Sequence, residues 1–185
     1  MTSRKGVIVD GQGDYASLRA RFGARYRILK TDGPRGHTVP PAQIVLAAKK
    51  QIAILRAMSC ETIVLLTDFE CRRCSYEAFL QALATQASSF DCGVTLLTAS
   101  PNRMIENWYL ADISYLSRKK AFLRDRVTQR NFEGCDGKRQ LRKFIIKGNS
   151  YNEVTHGPQL FVALRFSVAR KNSPSFDSFL RHLEM

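Results

Sequence analysis

At 185 residues with 44% hydrophobic side chains, the chain is long enough to enclose the core of one α/β domain and too apolar to be disordered. Lysine and arginine outnumber aspartate and glutamate by 29 to 16, a formal net charge of +13, which speaks against an ordinary metabolic enzyme. The charge favours a polyanionic partner, with nucleic acid ahead of an anionic membrane surface or an acidic protein.

In chain order, a first strand is expected over Gly6 to Asp10, because Val7-Ile8-Val9 is a short continuous apolar run of the kind buried inside a parallel sheet. Met1-Thr2-Ser3-Arg4-Lys5 leads straight into it, which predicts no secretory leader. Gly11-Gln12-Gly13 suits a tight strand-to-helix turn, with Asp14 in the first turn of a short helix ending near Phe22. Tyr26 to Leu29 reads as a second strand and Thr31 to His37 as a loop. One long helix is expected from Pro41 to Met58, with Ile44, Ala47, Ala48, Ile52 and Leu55 as its apolar stripe. Thr62 to Thr67 is the third strand, Ser75 to Ser88 a helix, and Val94 to Leu97 the fourth strand. Pro101 to Asp112 reads as a helix with Met104, Trp108 and Ala111 inward and Glu106 off that stripe.

This alternation predicts a mostly parallel sheet flanked by helices, with right-handed βαβ connections, over residues 1–112. Residues 113–185 read as a basic, mainly helical extension packed on that core as one compact unit. It holds a turn at Gly134 to Gly137, a basic helix from Lys138 to Ile146, a helical stretch from His156 through Phe166, and a closing helix capped near Ser173-Pro174. No apolar stretch approaches membrane-spanning length, so no membrane partner is expected. Five cysteines, an odd number, fit a reducing cytoplasmic setting. Cys71 and Cys74 form a C-x-x-C without a second pair, so ordinary thiols are favoured over structural zinc or a redox dithiol.

The acids carry the chemistry. Ligands of parallel sheets gather beyond the carboxyl ends of the strands. Asp10 and Asp14 follow one strand there, and Asp68 and Glu70 follow another. If the chain stays extended, Asp68 and Glu70 point to the same side. Glu106 opens from the helix after the fourth strand. Clustered carboxylates repel one another unless a cation lies between them, and hard oxygen donors suit one or two Mg²⁺ or Mn²⁺ ions, the arrangement used in phosphoryl transfer. Each acid has a plainer reading too. Asp14 is then a helix-start acid, Glu106 an ion-pair partner of Arg103, and Asp68 and Glu70 solvated loop acids. Arg72, Arg73, Arg118, Lys119, Lys120, Arg139, Arg142 and Lys143 are the expected nucleic-acid contacts, in runs that include Arg124, Arg126 and Lys147. Trp108 and Tyr109 serve either as base-stacking platforms or as core.

These residues also carry a family resemblance. V-I-V-D-G-Q-G-D, L-L-T-D-F-E and P-N-R-M-I-E-N-W-Y-L-A-D, followed by S-Y-N-E-V-T-H-G-P-Q-L-F and N-S-P-S-F-D-S-F, resemble small Toprim-like proteins related to the Toprim part of overcoming-lysogenization-defect (OLD-type) nucleases. The resemblance spans nearly the whole chain. It implies a Rossmann-like Toprim fold and a metal-dependent nuclease with Asp10, Asp14, Asp68, Glu70 and Glu106 as metal-binding acids. It further implies Asp10 as a catalytic residue and Lys138 as the cation facing the transition-state phosphate. An anti-phage defence role beside an ABC- or AAA-type ATPase follows from the resemblance alone, and a homodimer is a further expectation. The chain departs from the pattern at Asp10, where a longer Glu is usual, at Glu70, where the second acid of the pair is usually Asp, and at Glu153, where Lys is usual.

Two other catalytic families fit less well. A response-regulator phosphoacceptor lacks its partner lysine here, and a haloacid-dehalogenase-like phosphatase lacks the threonine after its acids. A catalytically silent nucleic-acid- or partner-binding module on the same scaffold is the alternative from a different class.

Overall fold

The computed structural model describes residues 4–34 and 36–184. β1 (Arg4–Val9), β2 (Arg27–Lys30), β3 (Cys60–Leu66) and β4 (Thr95–Ala99) form one all-parallel sheet in the order β2-β1-β3-β4. The two runs that end in acids, β1 and β3, are therefore central neighbours, with Val9 registered against Leu66. The chain leaves β1 toward β2 and later leaves β3 toward β4, in opposite directions. The crevice at the carboxyl ends of β1 and β3 is thus the topological switch point of the sheet.

Strand alternation sorts the core into two layers. Val7, Val9, Val64 and Leu66 face one side, and Ile8, Ile63 and Leu65 face the other. The second side is covered by α2 (Pro41–Ala47), α3 (Lys49–Ala57) and α4 (Tyr76–Ser88). Ser75 caps α4 by accepting from the Ala78 N–H at 3.1 Å. The helix expected over Pro41 to Met58 is broken at Ala48, because its halves pack on different elements: α2 lies against α4, and α3 against β1, β2 and β3.

The first side holds α1 (Gln12–Phe22) and α5 (Glu106–Leu110), followed by α6 (Ile113–Lys119), α7 (Gly137–Phe144), α8 (His156–Ala163), α9 (Phe166–Asn172) and α10 (Pro174–Glu184). Residues 113–184 share one continuous core with this face of the sheet. Trp108 stacks on Phe179 with ring centres 5.0 Å apart, touches Phe176 at 5.1 Å, and donates its indole N–H to Ser175 Oγ at 3.0 Å. Each such fully buried side chain contributes about 1.5–3 kcal/mol. Asp112, fully buried, holds the Arg165 guanidinium through two hydrogen bonds of 2.9 and 2.6 Å. The closing helix is capped by Ser173 Oγ, and the Glu133 carboxylate accepts from the Ser175 N–H at 3.1 Å.

The helix expected from Pro101 begins only at Glu106. Arg103 adopts φ +94°, its carbonyl accepts the Glu70 N–H at 2.7 Å, and the Met104 N–H is taken by the Asn107 side chain at 3.2 Å. Tertiary bonding thus outweighs the proline start signal. Every residue of α5 is buried, so it has no exposed face, and Trp108 and Tyr109 belong to the core rather than to a base-stacking surface. The stretch expected to run unbroken from His156 through Phe166 divides at Leu164–Arg165 into α8 and α9.

Candidate metal and phosphate site

Asp10 follows β1, and its carboxylate accepts the Thr67 hydroxyl at 2.7 Å, which ties the ends of the two central strands together. Asp14 stands in the first turn of α1, where its charge favours the helix start, and its carboxylate lies back against Gly11. Asp68 follows β3. Glu106 opens α5, and its side chain is almost entirely buried. The Tyr151 hydroxyl donates to Glu106 Oε1 at 3.1 Å, and Glu106 Oε2 is buried without a hydrogen-bond partner.

These four acids feel one another. Burial, followed by the charges on Asp10 and Glu106, pushes Asp14 well above the usual carboxylate range. Burial, followed by Asp14, Asp10 and Glu106, does the same to Asp68. Burial raises Glu106 to about 6, against the pull of Lys138.

Lys138, in the first turn of α7, brings a cation to the same place. Burial works against its ammonium, but Glu106, Glu153 and Asp68 outweigh that and hold it above its ordinary range. Its Nζ pairs with Glu153 Oε1 at 2.8 Å. Two glycines permit this approach. A Cβ on Gly137 would stand 2.9 Å from the Asn107 backbone, and one on Gly13 would stand 2.8 Å from Glu153 Cβ. Glu153 and Tyr151 are thus site residues. The S-Y-N-E stretch marks Glu153 only as a departure from a motif, and nothing local in it foretells contact with α1.

Glu70 does not follow the expected alternation with Asp68. Its backbone has φ +56°, so the extended alternation that would align it with Asp68 does not hold. Its carboxylate lies 4.0 Å from His37 Nδ1. Arg72, expected to contact nucleic acid, donates instead to the carbonyls of His37 at 3.1 Å and Val39 at 2.6 Å, and its guanidinium covers the Phe79 ring. Its role is to hold the 36–39 loop. Cys71 and Cys74 are exposed free thiols.

Among the described residues, no three His, Cys, Asp or Glu side chains form a ready metal cage. Asp10, Asp14, Asp68 and Glu106 are mutually repelling neighbours rather than a closed coordination shell. Their donors are all hard oxygens, and Glu106 Oε2 has an unspent acceptor, so the set fits Mg²⁺ or Mn²⁺ chemically.

A protein-family model matches residues 27–184, from β2 to α10. The chain belongs to the DUF4276 family. That family is described as a domain of unknown function. The DUF4276 match takes in Asp68, Glu70, Glu106, Lys138 and Glu153, whereas Asp10 and Asp14 precede it. No curated protein and no solved structure matches the chain.

In this DUF4276 chain the two basic runs meet beside the site. Leu123 and Ile145 form an antiparallel bridge, with Arg124 N–H donating to the Phe144 carbonyl at 2.7 Å and Ile146 N–H to the Phe122 carbonyl at 3.1 Å. Arg118, Lys119, Arg124, Arg126, Arg139, Arg142, Lys143 and Lys147 are exposed, as is Arg73 near Glu70, while Lys120 is half-buried. Among the described residues, no helix is long and apolar enough to cross a membrane.

Proposed function

We propose that this protein is a divalent-metal-dependent nuclease that hydrolyses phosphodiester bonds of DNA or RNA. The observation that carries the reading is the buried, unpartnered Glu106 Oε2 among Asp10, Asp14 and Asp68 at the switch point of the sheet. Mg²⁺ or Mn²⁺, when bound, would supply Lewis acidity and neutralise charge at the phosphorus. Asp10, Asp14, Asp68 and Glu106 would hold the metal, with Thr67 orienting Asp10 and Tyr151 orienting Glu106. Lys138 would face the phosphate oxygens, and the basic residues of the 118–147 region would hold the backbone on either side. The Toprim resemblance supports the same chemistry. It extends the proposal to a cytoplasmic anti-phage effector partnered by an ABC- or AAA-type ATPase.

The test is cleavage of plasmid DNA, single-stranded DNA and total RNA with Mn²⁺, Mg²⁺ or EDTA, alone and with the product of a neighbouring ATPase gene. Metal-dependent cutting that disappears in Asp68→Asn supports the reading. Cutting that persists in EDTA or in that variant overturns it. The turn of the chain at Glu70, out of the alternation that would align it with Asp68, favours a second reading, a catalytically silent nucleic-acid-binding module. Salt-sensitive nucleic-acid binding without any metal-dependent thermal stabilisation would favour that alternative.

A further inference from the structure

A row of three aromatic rings runs from Glu106 to the basic ribbon formed where Leu123 and Ile145 bridge. At one end the Tyr151 hydroxyl donates to Glu106 Oε1. The Tyr151 ring lies 24° from parallel with that of His156, centres 6.1 Å apart, and His156 packs on Phe122 at 4.4 Å. At the other end the Phe122 carbonyl accepts the Ile146 N–H of the ribbon at 3.1 Å. All three rings are half-buried, so the row keeps a side open to water. The His156 ring is held in place by its own turn. The Asn152 N–H donates to His156 Nδ1 at 2.9 Å, and the His156 N–H donates to the Asn152 carbonyl at 2.8 Å. The Asn152 side chain closes the same turn by accepting from the Val154 and Thr155 N–H groups at 3.0 and 2.9 Å. Gly157 then seats the start of α8 on α1 and α5, since a Cβ there would stand 2.8 Å from Ser17 Oγ and 3.3 Å from the Tyr109 hydroxyl.

We propose that Phe122 and His156 form a base-stacking platform, so that the substrate reaches the acid cluster as a single strand of DNA or RNA. The inference rests on the nuclease reading above and names its substrate class. Two kinds of group meet at the platform. Arg124, two residues beyond Phe122, and Lys147, next to the Ile146 that pairs with Phe122, are exposed cations suited to backbone phosphates. The rings are suited to the faces of unpaired bases. In a duplex the neighbouring pairs cover those faces, so a duplex can use the cations and not the rings. Charge alone favours the duplex, which carries one phosphate per about 1.7 Å of its axis. A preference for single strands therefore has to come from stacking. A ring already fixed by its own turn loses little freedom when a base settles on it. The continuity from Phe122 through His156 and Tyr151 to Glu106 directs a stacked strand toward the acids, a task that the buried Trp108 and Tyr109 cannot perform.

The experiment is equilibrium binding of labelled oligo-dT, oligo-U and a DNA duplex of the same length to the full chain, read by fluorescence anisotropy in EDTA so that cutting does not interfere. The proteins are wild type, Phe122→Ala, Phe122→Trp and Arg124→Ala. The wild type should bind a single strand more tightly than the duplex. Phe122→Ala should weaken single-strand binding roughly tenfold and leave duplex binding nearly unchanged, whereas Arg124→Ala should weaken both. Phe122→Trp should keep its single-strand affinity. Its new indole emission should be quenched by the single strand and not by the duplex, against a constant background from the buried Trp108. The tighter of oligo-dT and oligo-U tells DNA from RNA, and either supports the platform. Tighter duplex binding by the wild type overturns the inference. So does an equal loss for single strand and duplex in Phe122→Ala with its melting curve intact. Indole emission unmoved at saturating single strand also overturns it, and that measurement decides the matter if Phe122→Ala fails to fold. Failure of the wild type to bind any of the three probes overturns the nucleic-acid reading itself, whereas platform-dependent single-strand binding without cleavage supports this inference and counts against hydrolysis alone.

Discussion

Replacing Glu106 with Gln tests the electrostatics of the site without any substrate. In the metal-free protein above pH 6, Glu106 is a buried carboxylate with one unpartnered oxygen. Its folded pKa of about 6 lies above the ordinary 4.5, so the native state binds the extra proton more tightly. The stability that Glu106 contributes is then fully present below pH 4.5 and is lost as the pH rises through 6. The loss amounts to about 2 kcal/mol by pH 8. Gln cannot ionise, still accepts the Tyr151 hydroxyl, and places an amide N–H₂ where Oε2 had no partner. In EDTA at pH 8, Glu106→Gln should therefore melt about 4–8 °C above the wild type, since about 1 kcal/mol moves the midpoint of a chain this size by about 2–4 °C. The gap should close toward pH 4.5. Mn²⁺ should raise the wild-type midpoint and leave the variant's nearly unchanged. A variant that melts below the wild type at pH 8, or by the same margin at every pH, would refute the reasoning.

Three further expectations follow from the geometry. Asp68→Asn should abolish metal-dependent cleavage, whereas Glu70→Gln should keep most of it because Glu70 faces His37; a comparable drop in both, measured as single-turnover rates, would return Glu70 to the site. Arg72→Ala should cost about 2 kcal/mol in urea unfolding, because the 36–39 loop then has no guanidinium to bind its carbonyls, and should leave nucleic-acid affinity nearly unchanged. Arg142→Ala/Lys143→Ala should weaken nucleic-acid binding and lower the slope of log K against log salt by about 0.9 for each phosphate no longer neutralised, with an unaltered slope excluding both residues from the interface.

The centre of the sheet is legible in the sequence because β1 and β3 contain the continuous apolar runs Val7-Ile8-Val9 and Ile63-Val64-Leu65-Leu66, and acids follow both runs. Central strands need both faces apolar, so the pattern and the topology agree for β1 and β3. The interruptions are not legible. Ala48 is a good helix former with no Gly or Pro beside it, and only the differing partners of α2 and α3 explain the break. Pro101 announces a helix that Arg103 and Asn107 delay, through bonds to residues far along the chain or on the next turn. For the site, the positions of Asp10, Asp14, Asp68 and Glu106 follow from strand ends and helix starts. Glu70 escapes the pattern because alternation presumes extended backbone, and the chain there turns into the left-handed region. Glu153 meets Gly13 across roughly 140 residues of sequence, a contact that no local pattern encodes.

The eight residues of α7 link the two halves of the candidate machinery. Its first turn presents Lys138 to the acids, and its last turn carries Lys143 and Phe144 to the strand-like bridge beside Arg124. A helix this short behaves as a rigid rod, and Lys138 and Lys143 are separated by about 7.5 Å along its axis. The spacing between the acids and the basic ribbon is therefore set by a count of residues rather than by a hinge. One residue inserted into α7 would lengthen the rod by about 1.5 Å and turn its far end by about 100°. Lys138 and the ribbon could not then both keep their places, so α7 acts as a ruler whose length is protected from both ends.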